Sequence, residues 1–123
     1  MMNDQLKAQD LRSRTKQFAL RIIRLYSVLA RAGASQVIGR QMLRSGTSVG
    51  AQYREACRAR SAAEFVSKME SASQELDETI YWLELLIEGG LVKQGRLDAL
   101  LREANELTAI FVASSKTTKK GKR

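Results

Sequence analysis

The sequence predicts an all-α fold, an antiparallel up-down four-helix bundle. Three observations predict it. The 123 residues contain no proline, the residue that costs a helix interior most. Apolar residues recur at steps of three and four along four separate segments, which puts them on one face of a helix in each. No segment shows two-residue alternation closed by hairpin turn chemistry. With 44% apolar and 28% charged residues, the chain is an ordinary globular mixture with room for a single core. Turns of a few residues between helices favour sequential antiparallel neighbours.

The first helix is expected from about Asp4 or Asp10 to Arg31. Leu11, Thr15, Phe18, Ile22, Leu25, Leu29 and Ala32 form its inner stripe, and Gly33 is its expected stop. The second runs from Ser35, a good N-cap, to about Arg58. Ile38, Met42, Ser45, Val49, Tyr53 and Ala56 make its inner face. Gly46 and Gly50 lie one turn apart within it. Each costs roughly 1 kcal/mol of helix propensity relative to alanine, so each predicts close approach of a neighbouring helix or a bend. The third opens on Ser61-Ala62-Ala63-Glu64, a capping box, carries Phe65, Met69, Ala72, Leu76, Ile80, Leu83 and Ile87 inward, and closes on Gly89-Gly90. The fourth runs from about Gln94 or Arg96 to Ala113 on Leu97, Leu100, Leu101, Ala104, Leu107, Ile110 and Phe111. Residues 1–113 thus form the expected bundle. Residues 114–123, which hold no apolar side chain, form an expected basic, disordered tail.

Charge is unevenly distributed. Up to Arg60 there are twelve Lys/Arg against three Asp/Glu; from Ser61 to Ala113 there are four against ten; the tail has five and no acid. Such blocks suggest pairing between helices or a basic face for a polyanion. Histidine is absent, which removes the commonest general base and metal ligand. The lone cysteine, Cys57, has no disulfide or zinc partner and reads as a partly buried apolar residue. No apolar run approaches the ~20 residues of a membrane span, and residues 1–10 lack a secretory h-region. A cytoplasmic protein without catalysis, metal, cofactor or membrane contact is expected.

The blocks Gln41-Met-Leu-Arg44-Ser-Gly-Thr-Ser-Val49-Gly-Ala-Gln52-Tyr-Arg-Glu55-Ala, Glu64-Phe65-Val-Ser-Lys68 and Glu75-Leu76-Asp-Glu78-Thr79-Ile-Tyr81-Trp82-Leu-Glu84-Leu resemble the bacterial four-helix-bundle family named for 23S rRNA intervening sequences. That family is similar in fold to the accessory variability proteins of diversity-generating retroelements. The resemblance spans about Lys16 to Val92. It implies a homopentamer of up-down bundles, a link to RNA and, for the retroelement relatives, a nucleic-acid-binding basic surface and a reverse transcriptase partner. Thr47-Ser48-Val49-Gly50 is unbroken where many relatives carry a proline.

The candidate nucleic-acid face comprises Arg12, Arg14, Lys16, Arg21 and Arg24 on the first helix and Arg40, Arg44, Arg54 and Arg58 on the second. Arg60 in the following turn and tail residues Lys119 and Lys120 join it. The pairs Arg40/Arg44 and Arg54/Arg58 each share a helix face. Phosphate binding needs several cations on one surface, because affinity comes largely from counterion release, and arginine adds a planar fork for phosphate oxygens. The competing reading pairs these cations with acids of the third and fourth helices. Arg44 with Glu75 or Glu78 is the expected case, an ion-pair network that fixes register. A carboxylate metal site there is disfavoured by the missing histidine. Ile23, Tyr26, Tyr81, Trp82 and Leu86 extend past a narrow seam; they read either as a wide protomer core or as a subunit interface, and the resemblance favours the interface. The leading function is RNA or DNA binding by an oligomer that repeats its basic face. The alternative is a protein-interaction scaffold, for a polymerase such as a reverse transcriptase, with no nucleic-acid contact.

Overall fold

The computed structural model describes residues 2–121, with side chains from Leu6 onward. It contains α1 (Met2–Val28), α2 (Gly33–Cys57), α3 (Ala62–Glu88) and α4 (Gln94–Gly121). Helices of 25 to 28 residues are each roughly 40 Å long at 1.5 Å per residue. No strand occurs among the described residues.

Side-chain contacts fix an antiparallel order. Ile22 meets Gly46 and Thr15 meets Gly50, so α1 and α2 run oppositely. Ser45 bonds Thr79, Lys68 bonds Glu55, and Lys119 bonds Glu70, which sets α3 against α2 and α4 against α3. Arg14 reaches Glu103 from α1 to α4. The backbones of α1 and α3 do not come close to one another, so the two helices lie diagonally across the core.

That core is built by the predicted stripes. Phe18, Ile22, Met42, Val49, Met69, Leu76, Leu83, Leu97, Leu107 and Phe111 are almost fully buried. Burying each such side chain contributes about 1.5–3 kcal/mol. The Tyr53 ring stacks on Phe111, centroids 5.6 Å apart and planes 13° from parallel. On α2 the predicted inner residues Met42, Ser45, Val49, Tyr53 and Ala56 are all buried, and Ile38 packs against them. Gly46 serves close approach: a Cβ there would sit 2.8 Å from Ile22 Cγ1, and one at Gly50 would sit 3.2 Å from Thr15 Oγ1.

The turn chemistry of α3 matches its sequence. The Glu64 N–H donates to Ser61 Oγ at 3.0 Å, and Glu64 Oε2 accepts from the Arg60 N–H at 3.2 Å, one residue before the donor of the usual reciprocal box. Gly90 adopts φ +74°. The N–H groups of Leu91 and Gly90 donate to the carbonyls of Leu86 and Ile87 at 2.9 and 3.0 Å, the paired bonds of a Schellman turn.

Four expectations are corrected. First, α1 stops at Val28, and Gly33, at φ +62°, opens α2 instead of closing α1. The N-cap of α2 is Ala32, while Ser35 lies buried inside the helix. Second, Leu86, expected at a subunit interface, is fully buried in the protomer. The inward face of α3 passes through Thr79, Leu83 and Leu86, leaving Ile80 and Ile87 at its margin. Third, α4 does not fray at Ser114 but continues as helix to Gly121. No breaker interrupts residues 114–120, Ser115 packs inward, Thr118 Oγ1 donates to the Ser114 carbonyl, and Lys119 ties down to Glu70. Lys122 and Arg123 lie outside the described residues. Fourth, Cys57 is exposed at the end of α2, one position past the inner residue Ala56.

Candidate nucleic-acid interface

The candidate cations divide into paired and unpaired sets. Arg14 is held across the α1–α4 seam: Nη2 donates to Glu103 Oε1 at 2.7 Å and to Glu106 Oε1 at 3.2 Å, and Nε donates to Glu103 Oε2 at 3.1 Å. The hydrogen bond to Glu103 raises its guanidinium pKa further above the ordinary value, against a smaller opposing effect of burial. Arg44 is held across the α2–α3 seam by Glu78 and by Glu75, the latter at 3.3 Å. Its pKa is likewise raised, chiefly by the bond to Glu78. This is the expected register-fixing network, and it occupies both carboxylates. Lys119 pairs with Glu70 at 2.9 Å. Pairing with Glu55 also removes Lys68, at 2.6 Å.

Arg12, Lys16, Arg54, Arg58, Arg60 and Lys120 are exposed, and the charged group of none of them pairs with a carboxylate among the described residues. All six cluster at one end of the bundle by topology. The Thr15–Gly50 contact and the bond from the Tyr53 hydroxyl to the Ala8 carbonyl, 3.4 Å, set the start of α1 against the end of α2. Arg12 and Lys16 are spaced i,i+4 and share a face of α1; Arg54 and Arg58 do the same on α2. Arg12 lies near enough to Tyr53 to oppose the upward push that burial gives its phenol. Arg60 caps the same end, in the turn that leads into α3. The last turns of α4 reach that end too, bringing Lys116 and Lys120.

The remaining candidates sit toward the opposite end. Arg40 donates to the Gln36 side-chain oxygen at 2.9 Å when that amide is oriented to donate to the Arg31 carbonyl. Arg21, half-buried, and Arg24 line an α1–α4 groove with Arg96. Arg96 was not among the sequence candidates. Helical periodicity within one segment carries no signal for it, because it joins the others only through the antiparallel register.

The expected interface residues separate similarly. Tyr81 is 53% exposed and Ile23 is 45% exposed. Tyr26 is half-buried against Gly39. Trp82 packs on the core margin, edge-on to Tyr81, with its indole Nε1 buried and unpaired.

Among the described residues, no helix is long and apolar enough to cross a membrane, and no group of three His, Cys, Asp or Glu is placed to hold a metal.

An up-down bundle with two carboxylate-locked arginines and a cationic end defines a small basic four-helix-bundle protein. The profile of the 23S rRNA-intervening sequence protein family matches residues 7–113, and the chain belongs to that family. It is similar to a crystal structure, at 1.70 Å, of a protein of unknown function from the S23 ribosomal protein family of Bacteroides thetaiotaomicron VPI-5482. The two are 34% identical, with a TM-score of 0.80, covering 89% of this chain and 98% of the other. Comparison with curated proteins gave no match.

Proposed function

We propose that this protein is a non-catalytic homo-oligomer that binds nucleic acid, RNA foremost, through the cationic end of the bundle. One observation carries the reading: Arg12, Lys16, Arg54, Arg58 and Arg60 stay exposed and free of described carboxylates while Arg14, Arg44, Lys68 and Lys119 are paired. Glu55 and Glu70, which lie at the same end, are taken up by Lys68 and Lys119 and leave these five charges unmatched. Exposed cations cost little to hold apart from carboxylates in water, yet together they release counterions from a phosphate chain. The family's naming for an rRNA intervening sequence supports RNA. Repetition of the end in an oligomer raises avidity without new contacts. Arg14, Arg44 and Lys119 leave the candidate set, and Lys116 joins it.

The test is anisotropy of a labelled single-stranded RNA across a salt series. Affinity should fall steeply, with a log–log slope of about −0.7 per neutralised phosphate. Changing Arg12, Lys16, Arg54 and Arg58 together to Glu should lower affinity by more than about tenfold, the equivalent of about 1.4 kcal/mol. Unchanged affinity in that variant, with helicity intact by circular dichroism, would overturn the reading.

A further inference from the structure

Two surface patches on this protomer are unpartnered and complementary. The first is the groove between α1 and α4, about 350 Å³, where Arg21, Arg24 and Arg96 surround Leu25, Leu97 and Leu100. Val28, 62% exposed, also lines it, and no carboxylate does. None of the three arginines bonds a carboxylate among the described residues. Their aliphatic stems flank the apolar floor while their charged heads stay in water.

The second patch is the outer face of α3. Asp77, Tyr81, Glu84 and Glu88 recur at steps of four, three and four, and all are exposed. The spacing aligns them on one stripe about 16 Å long at 1.5 Å per residue. Neither Asp77, Glu84 nor Glu88 has a cationic partner among the described residues. Glu75 and Glu78, nearer the α2 seam, are by contrast engaged with Arg44. The stripe therefore offers three free carboxylates around one exposed aromatic ring, and the groove offers three free guanidinium groups around an apolar floor.

We infer that the α1–α4 groove receives the Asp77–Glu88 face of α3 from a second copy of this chain. Tyr81 supplies the apolar anchor over Leu25 and Val28, and Arg21, Arg24 and Arg96 take the flanking carboxylates. Opposite charge fixes the partner and its register, and tyrosine and arginine are the residue types that carry interface energy. The patches differ and lie on separate faces of the bundle, so the contact is heterologous: every copy uses its groove on one neighbour and its stripe on another. Such contacts build rings when the rotation closes. The inference rests on the oligomeric part of the proposed function and is independent of the nucleic-acid part. It withdraws Arg21 and Arg24 from the nucleic-acid surface.

Light scattering on the full chain after size exclusion tests it. The wild type should elute as a multimer whose mass falls at high salt. Arg24→Glu with Arg96→Glu, both exposed positions, should give the mass of one chain, and so should Glu84→Arg with Glu88→Arg. All four substitutions in one chain should restore the wild-type mass, since the opposed charges are exchanged. Circular dichroism confirms that each variant is folded; Tyr81→Ser, which changes no charge, gives a second reading and should also lower the mass. A wild type that is monomeric would overturn both the inference and the oligomeric reading. Either two-residue variant keeping the wild-type mass would overturn the inference alone, as would failure of the four-residue exchange to restore it. Arg24→Glu with Arg96→Glu that stays multimeric but loses RNA affinity would assign the groove to nucleic acid instead.

Discussion

Helix α1 has two neighbours and meets them by opposite means. Against α2 it packs through the absence of side chains: Gly39, Gly46 and Gly50 let Tyr26, Ile22 and Thr15 press onto the α2 backbone. Against α4 the contact is slighter, spanned by Arg14 to Glu103 and Glu106 and leaving the groove beneath Arg21, Arg24 and Arg96. The first seam is closely fitted and tolerates little change of volume. The second is held by long charged side chains that can rearrange. One helix thus supplies a fixed wall to the core and an adaptable wall to the surface, which is where a partner can be received.

The largest blow to this contrast is Gly46→Ala. Alanine is the better helix former by about 1 kcal/mol. However, its Cβ would meet Ile22 Cγ1 at 2.8 Å, Cγ2 at 3.0 Å and Cβ at 3.3 Å, a buried β-branched side chain with no free rotamer. The backbones must part, and a net loss of about 1–3 kcal/mol is expected in urea unfolding. Gly39→Ala sharpens the point: its nearest contacts are the Leu29 Cδ1 methyl and the Tyr26 ring, ends that can swing, so its cost should be smaller.

Arg14→Ala should cost less, about 1 kcal/mol or below, because the pair is only partly shielded from water. The loss should shrink as salt is raised, whereas the loss for Gly46→Ala should not. Equal salt dependence of the two unfolding free energies would erase the distinction between the seams.

Tyr53→Phe has the smallest effect near neutrality and a distinctive one in alkali. Burial, then the bond and charge of Cys57, raise the phenol pKa above its ordinary value of 10.0. The folded chain keeps this proton after the unfolded chain has begun to lose it. The stabilisation is therefore fully present below pH 10 and is lost as pH rises beyond it. The variant retains the ring stacked on Phe111 and gives up a bond of 3.4 Å to Ala8. Its stability should decline less steeply than the wild type's in unfolding titrations above that pH.

These seams show which features were legible in sequence. Gly46 and Gly50 announced close approach because a costly residue twice in one helix has few other uses. The Arg44–Glu75–Glu78 network was legible because adjacent antiparallel helices must align those residues. Leu86 was misplaced because the expected stripe took two steps of four in succession, from Ala72 to Leu76 to Ile80, whereas the buried face keeps alternating threes and fours through the polar Thr79 to Leu83 and Leu86. The helical tail was hidden because its support, Ser115 against the bundle and Lys119 on Glu70, comes from another helix. The groove and the acidic stripe were invisible for the same reason: each needs the register between helices, which no single segment states.

The hydroxyl pair between α2 and α3 has a mechanical consequence. Thr79 gives its proton to the Glu75 carbonyl at 2.7 Å, so Ser45, 2.7 Å away, gives its own to Thr79. Both side chains are wholly buried. A slip of one helical turn, about 5.4 Å, would break the bond between the two hydroxyls and leave Ser45 only the long 3.4 Å bond to the Met42 carbonyl of its own helix, at a cost of about 1 kcal/mol. Helices α2 and α3 are thereby pinned in register at mid-length, and with α1 keyed into the glycines of α2 the α1–α4 seam is the one left without such a lock.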